Sequence, residues 1–393
     1  MEFHLFHLMP WPYLPEDFEQ TNGSAWVTYS NSHYDAKLGN ALYNRYLDEL
    51  EYAEELGFDG VCVNEHHQTV YGQMPAPNIM AAALARRTKR ITIAILGNAI
   101  SLRDHPLRVA EEVAMLDVMT GGRIISGFVR GIGSEYFAFG INPSDSRERF
   151  LEACDLILRA WTEPGPFCFD GKHYQVKYVN VWPRPFQKPH PRIFVPSTGS
   201  VETIEWASQN HYPFIRVYEV ASVVKALFDE YRLAAQGWGY EAGPELLGWM
   251  IPIYVAETEE AARREAEKHI LYLFQKLQHR PLAHLMPPGY TGEASLARAI
   301  ERMGRRKTMA SRSYDEMQDQ GMIIFGTPTS VRQRLEAFQK DMRFGILVPL
   351  LQFGSLPHDL TMKNMTLFAR EVMPHLRPLG QPAGAPSTVQ VAN

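Results

Sequence analysis

The sequence predicts an α/β protein built as a (β/α)8 TIM barrel. Three features lead there. Eight short apolar runs are spread along the 393 residues, and helical patterns separate them. The runs are β-branched or aromatic and apolar on both faces, as strands of a buried parallel sheet are. Strand–helix alternation marks parallel α/β architecture, and a count of eight fits a closed barrel better than an open doubly wound sheet.

The elements follow in order. The first run spans residues 3–9. The second, 58–63, reads FDGVCV; the third, 91–96, reads ITIAIL; the fourth, 123–129, reads RIISGFV. Residues 193–196, 214–218, 249–255 and 346–352 complete the set. The first helical pattern, 40–56, places Leu42, Tyr46, Leu50 and Ala53 on one face, and Gly57 stops it. Residues 77–88 are Ala-rich and open with Pro77 in the first turn. Residues 106–119 end at Gly121-Gly122. Residues 147–161, 200–208, 220–236 and 329–342 repeat the pattern.

Two segments interrupt the repeat. Residues 10–39, after strand 1, are rich in Pro, Tyr, Ser and Asn. Residues 266–321, between strands 7 and 8, hold a Pro287-Pro288-Gly289 turn and a basic stretch with Arg302, Arg305, Arg306 and Lys307. Insertions of this length read as lids or as surface decoration. The second is expected to order over the barrel mouth, with its basic stretch a solvated face. Residues 1–379 are read as one barrel domain, and 380–393, rich in Pro, Ala and Gly, as a disordered tail.

Composition narrows the function classes. With 45% hydrophobic residues the chain has enough apolar material to bury a core, which excludes whole-chain disorder. Lys plus Arg is 39 against 44 Asp plus Glu, so no basic excess is available for nucleic-acid phosphates. No stretch approaches the ~18 apolar residues of a membrane span, and Pro10 and Pro12 break up the only place for a signal peptide. Cys62, Cys154 and Cys168 form no CxxC pair, so neither a disulfide framework nor a zinc site is expected, and the compartment is read as cytoplasmic.

In a parallel barrel the residues just after each strand face the functional mouth. Here these are Asn64-Glu65-His66-His67, Gly97-Asn98-Ala99, Arg130-Gly131-Ile132-Gly133-Ser134, Ser197-Thr198-Gly199-Ser200 and Tyr218. Ser200 and Thr203 open a helix, where free N–H groups attract an anion. Arg130 and Arg147 add guanidinium groups suited to phosphate, though Ser200 as a simple cap and Arg147 as a surface residue are equally open readings. His66 beside Glu65 suits acid/base work near neutral pH, or a structural hydrogen bond. Adjacent strand residues face opposite ways, so His66-His67 is a poor metal pair, and no metal is expected. No strand-linked GxGxxG, GxxxxGK[ST] or GxSxG occurs.

The run FDGVCVNEHH, then RRTKRITIAILGNAISLRDHPLRVAEEVAMLDVMTGGR, then GFVRG, resembles the bacterial luciferase-like flavin monooxygenases. The likeness continues through SVETIEWA, FGTPTSVRQRLEAF and LFAREVMPHL. It implies a (β/α)8 barrel with reduced FMN at the mouth, supplied by a separate reductase. Dioxygen would oxygenate a small hydrophobic or heteroaromatic substrate through a C4a-peroxyflavin. By match to the family pattern, Arg130, Arg147, Ser200 and Thr203 hold the FMN phosphate. Asn98 and Ala99 match the segment beside the isoalloxazine ring, where a non-prolyl cis peptide is common. Glu65 and Tyr218 match residues of the flavin pocket, and His66 matches the catalytic histidine. Val129 stands where luciferase has a reactive cysteine, so no thiol chemistry is implied. The resemblance also implies a homodimer through helices 40–56 and 106–119. A deazaflavin-dependent hydride-transfer enzyme and a non-catalytic flavin-binding subunit are the alternatives. His7, Met9, Trp11, Tyr13 and Phe353 are the candidate lining of the substrate pocket.

Overall fold

The computed structural model describes residues 1–293, 296–297 and 309–380. The basic stretch at 302–307 and residues 381–393 of the tail lie outside the described residues. The apolar runs have no polar face to turn to water, and each becomes a strand buried on both sides. In chain order the strands are β1 (Glu2–Phe6), β2 (Gly60–Val63), β3 (Thr92–Ala99), β4 (Ile124–Val129), β5 (Phe167–Asp170), β6 (Gln175–Val179), β7 (Arg192–Ser197), β8 (Phe214–Val217), β9 (Leu247–Val255), β10 (Ile324–Gly326) and β11 (Ile346–Leu350).

Eight of them close the barrel in the order β1-β2-β3-β4-β7-β8-β9-β11. Every pairing is parallel, and β11 returns to β1 with Glu2 opposite Ile346. Helices Ala36–Glu55, Pro77–Arg87, Leu107–Thr120, Ser146–Thr162, Val201–Gln209, Ala221–Gly237, Glu259–Leu271 and Pro328–Met342 connect strands of the barrel. Their ends follow local chemistry. The Asp35 carboxylate caps the first by accepting from the N–H groups of Lys37 and Leu38. Gly121, at φ +66°, stops the third.

Three features were not read from the sequence. β5 and β6 form an antiparallel hairpin, held by Glu152, which accepts from the N–H groups of Lys172, His173 and Tyr174. Its strands are short and largely exposed, so no apolar run announced them. β10 adds three residues beside the far end of β9. Between β3 and β4 the register shifts between Ile95 and Asn98, where the two backbones come very close. A Cβ at Gly97 would sit 2.8 Å from the Gly127 carbonyl oxygen, so only glycine fits. The non-prolyl cis peptide lies here, at Leu96-Gly97, one residue ahead of the Asn98-Ala99 pair singled out from the sequence.

Candidate active site

The site is built from residues at the C-terminal ends of the strands. Ser200 follows β7 and caps helix Val201–Gln209. Its hydroxyl lies 2.7 Å from the Thr203 hydroxyl and accepts from the Thr203 N–H. Arg147 reaches both hydroxyls, at 3.3 Å and 3.5 Å, with Glu202 at 3.6 Å. Burial, and then the nearby charge of Arg130, lower the Arg147 pKa to about 10. Two guanidiniums are thus held close together at a helix N-terminus. An anion seated there would relieve their repulsion and meet the helix dipole.

The Glu65, His66 and His67 side chains go to different partners. Glu65 is buried and accepts from His67 Nε2 at 2.7 Å, Arg103 at 2.8 Å and the Ala99 N–H at 3.1 Å. It therefore acts on the site through Ala99, as a brace. His66, partly buried, places Nδ1 3.1 Å from Glu135, in the helical turn after β4. Glu135 is itself fixed, because its second oxygen accepts from the Ile132 N–H at 2.7 Å. With the proton on Nδ1 given to Glu135, Nε2 is left as an acceptor.

Several buried polar atoms at the strand ends have no partner. Both amide atoms of Asn98, the Asn64 Oδ1 and the Gln352 Oε1 are among them. The buried Tyr218 hydroxyl lies beside that of Tyr71; burial, with Tyr71, pushes its pKa well up, and its backbone is left-handed at φ +37°. A non-glycine residue held in that region is uncommon, and clusters of such orphans mark ligand sites.

Residues 278–292 lie across this mouth. Arg130 donates to the Tyr290 carbonyl at 2.9 Å and stacks on the Tyr290 ring at 4.4 Å. The Tyr290 hydroxyl donates to the Gly131 carbonyl at 2.6 Å, and Ser134 donates to the His284 carbonyl. The first insertion clamps the same segment. Trp26 Nε1 donates to the Leu277 carbonyl at 2.9 Å, and the Ala25 N–H to that of His279 at 2.8 Å. Arg280 lies over the Trp26 ring, 4.5 Å from its centroid.

The structure brings Glu65, His66, Asn98, Ala99, Arg130, Arg147, Ser200, Thr203 and Tyr218 to one mouth. The suggested pocket lining fares differently. His7 is buried against Glu49 at 2.9 Å, Phe353 stacks on Phe325, and Trp11 packs with Tyr13 and Tyr34. The wall beside His66 is instead Trp26, Tyr71 and Arg280. Sequence reasoning also missed Glu135, Arg103 and Tyr290. Glu135 had one available signal, its place in the first turn of a helix after β4. Arg280 and Trp26 carry none, because they meet only through the packing of two insertions.

A family model described as luciferase-like monooxygenase matches residues 24–343. The chain belongs to the luciferase-like monooxygenase family. It is by that membership an oxidoreductase that incorporates oxygen. The alkanal monooxygenase alpha chain of Photorhabdus luminescens is 30% identical over 231 residues, 58% of this chain and 58% of its own length. The oxygenase component of the flavin-dependent trigonelline monooxygenase of Acinetobacter baylyi is 25% identical over 307 residues, 72% of this chain and 84% of its own. The oxygenating constituent of 3,6-diketocamphane monooxygenase from Pseudomonas putida, solved with FMN, superposes with a TM-score of 0.70. It is 18% identical, covering 90% of this chain and 98% of that one, so it speaks to the fold. An F420-dependent secondary alcohol dehydrogenase shares the fold too, with a TM-score of 0.65 at 16% identity, covering 96% of this chain and 99% of that one.

A flavin nucleotide fits the residues present. The arginine and hydroxyl cradle suits a phosphate, and the orphaned Asn98 amide offers a donor and an acceptor to a polar ring edge.

Proposed function

We propose that this family member is the oxygenase component of a two-component system. It takes reduced FMN from a separate reductase and adds one atom of dioxygen to a hydrophobic or heteroaromatic organic substrate. The observation that carries this reading is the shared mouth: a two-arginine anion cradle and a carboxylate-oriented histidine lie over one set of strand ends. Reduced FMN supplies the electrons that activate dioxygen.

The chain's residues do the rest. Arg130, Arg147, Ser200 and Thr203 bind the phosphate. Asn98, Ala99 and Tyr218 line the ring, with Ala99 held in place by Glu65. His66 exchanges a proton at Nε2 while Glu135 fixes its orientation. Residues 278–292 exclude water from the reacting centre. The unpaired, mostly buried cysteines accord with a cytoplasmic protein. Among the described residues no helix is long and apolar enough to cross a membrane. A homodimer completes the proposal.

The test pairs two variants. Arg147→Ala removes a charge-assisted contact to phosphate, so the Kd for FMN should rise roughly ten- to hundred-fold. His66→Gln should leave FMN affinity unchanged and lower turnover by about two orders of magnitude, read as labelled oxygen transferred from 18O2 to product. If Arg147→Ala binds FMN as the wild type does, the phosphate assignment falls. A competition titration in which F420 displaces FMN would favour hydride transfer instead.

A further inference from the structure

The wall beside His66 holds a cation that the proposed reaction has not yet used. Trp26 and Tyr71 stack at 4.9 Å, and His66 meets both rings edge-on, at 5.3 Å and 5.1 Å. Arg280 lies over the Trp26 ring. Its Nη1 is buried and makes no hydrogen bond. Among the described residues no carboxylate lies within ion-pair distance of it. Glu135 is an acidic neighbour, but it is engaged by His66 and by the Ile132 N–H. Tyr71 and Tyr290 are its other polar neighbours, and burial lowers its pKa.

A guanidinium does not shed its proton at working pH, so it escapes burial only by pairing. The surrounding backbone is pinned as well. Leu277 and His279 are bonded to Trp26 and Ala25, and His279 Nε2 lies 3.0 Å from the Asn22 carbonyl. The cation and the aromatic wall are thus fixed to each other. The phosphate cradle involves other residues, Arg147, Ser200 and Thr203, so the flavin phosphate does not account for Arg280.

We infer that Arg280 anchors a carboxylate on the substrate, so that the compound oxygenated is an organic acid held beside His66. This inference rests on the monooxygenase reading and deepens it. A planar guanidinium meets a carboxylate with two parallel hydrogen bonds. A neutral analogue would leave the buried charge unpaired, so acids should be preferred over their amides.

The experiment is calorimetric. Benzoate, nicotinate and 2-naphthoate, each with its matching amide, are titrated into FMN-loaded and FMN-free protein. Wild type, Arg280→Met and Arg280→Lys are compared, with melting curves to show that each is folded. At least one acid should bind the wild type tenfold or more tighter than its amide. Arg280→Met should erase that preference, Arg280→Lys should keep part of it, and both should bind FMN within about twofold of wild type. Equal binding of acids and amides by the wild type, or a preference that survives Arg280→Met, overturns the inference. Lost FMN affinity in Arg280→Met with acid preference intact reassigns the residue to the flavin. Acid preference in a protein that binds no FMN would sink the monooxygenase reading and leave the anion site standing.

Discussion

Histidine shows how burial decides chemistry residue by residue. His66 keeps a partly open ring and one carboxylate partner, the arrangement for moving a proton. His269 is buried on helix Glu259–Leu271 with Nδ1 2.8 Å from the Ser355 hydroxyl, and burial, then the charge of Lys268, lower its pKa to about 4. His7 is lowered too, by burial against its Glu49 bond, whereas His358 is raised by its own bond to Glu49. Burial would raise Glu49, but bonds from His358 and His7 and the charge of Arg45 take it down to about 2. Glu49 therefore stays charged while the histidines titrate. As pH falls below the unfolded histidine value near ~6.5, the unfolded chain takes up protons that buried His269 and His7 refuse. The stability they contribute is present above that value and is lost as pH falls below it, for His269 down to about pH 4. His358 acts oppositely: its contribution is full at low pH and is lost as pH rises through its raised pKa. Two groups against one give a melting temperature that drops by a few degrees from pH 7 to pH 4.5. His269→Gln should flatten that drop, and an unchanged slope would show that His269 is not its source. EHH and GFVRG announced their strand-end positions because the motif and the βα period coincide. Among the partners, Glu135 had only its place in the first helical turn after β4 to mark it, and Arg103 and Arg280 were not legible, since each is defined by contact with a distant segment.

Segments 10–39 and 266–321 broke the sequence repeat for a physical reason: residues 272–292 of the second pack on the first and on the barrel mouth and extend no strand. Tyr272 joins them further, accepting from the Leu14 N–H and donating to the Trp11 carbonyl. Tyr290 then ties the second segment to Arg130 and Gly131. Tyr290 is held by two hydrogen bonds, of about 0.5–1.5 kcal/mol each, and by its stacking under Arg130, so residues 287–292 can lift while residues 277–280 stay pinned to Trp26 and Ala25. Such a closure matters where water would divert reduced flavin and dioxygen to hydrogen peroxide. Deleting residues 287–292 should leave the circular dichroism of the barrel intact. Reduced FMN mixed with this variant in air-saturated buffer should release hydrogen peroxide several-fold faster than with wild type. Equal release from a folded variant would make the segment decoration. The regular helices were legible from their apolar spacing, while hairpin β5–β6 was not, because its exposed strands have no buried face to write a pattern.

The eight-strand count carried the whole-molecule reading, because a parallel strand buried on both faces leaves an apolar run that no other element mimics at that spacing. The proposed second copy would have to seat on what the closed barrel leaves outside. Helix Leu107–Thr120 turns Val109, Ala110, Val113, Ala114 and Leu116 inward, yet also exposes Met115, Val118 and Met119. These three lie one turn apart on a single outer stripe. Phe186, 60% exposed, lies beside Gly122 at the end of this helix. The strap carrying Phe186 is fixed there, since Gln187 donates to Asp117 through its backbone and its side chain. Helix Ala36–Glu55, the other expected dimer helix, exposes only Leu38 among its large apolar side chains. The stripe on Leu107–Thr120 is therefore the better seat for a second copy. Met115 and Met119 are 49% and 58% exposed, so burying what remains of one contributes about 1 kcal/mol, and two-fold symmetry doubles it. Light scattering across a concentration series should show a dimer for the wild type. Met115→Glu combined with Met119→Glu should give a monomer with an unchanged melting profile of its barrel and unchanged FMN affinity, because neither residue approaches the mouth. A wild-type monomer at every concentration, or a double variant that remains a dimer, would place the stripe outside any subunit contact.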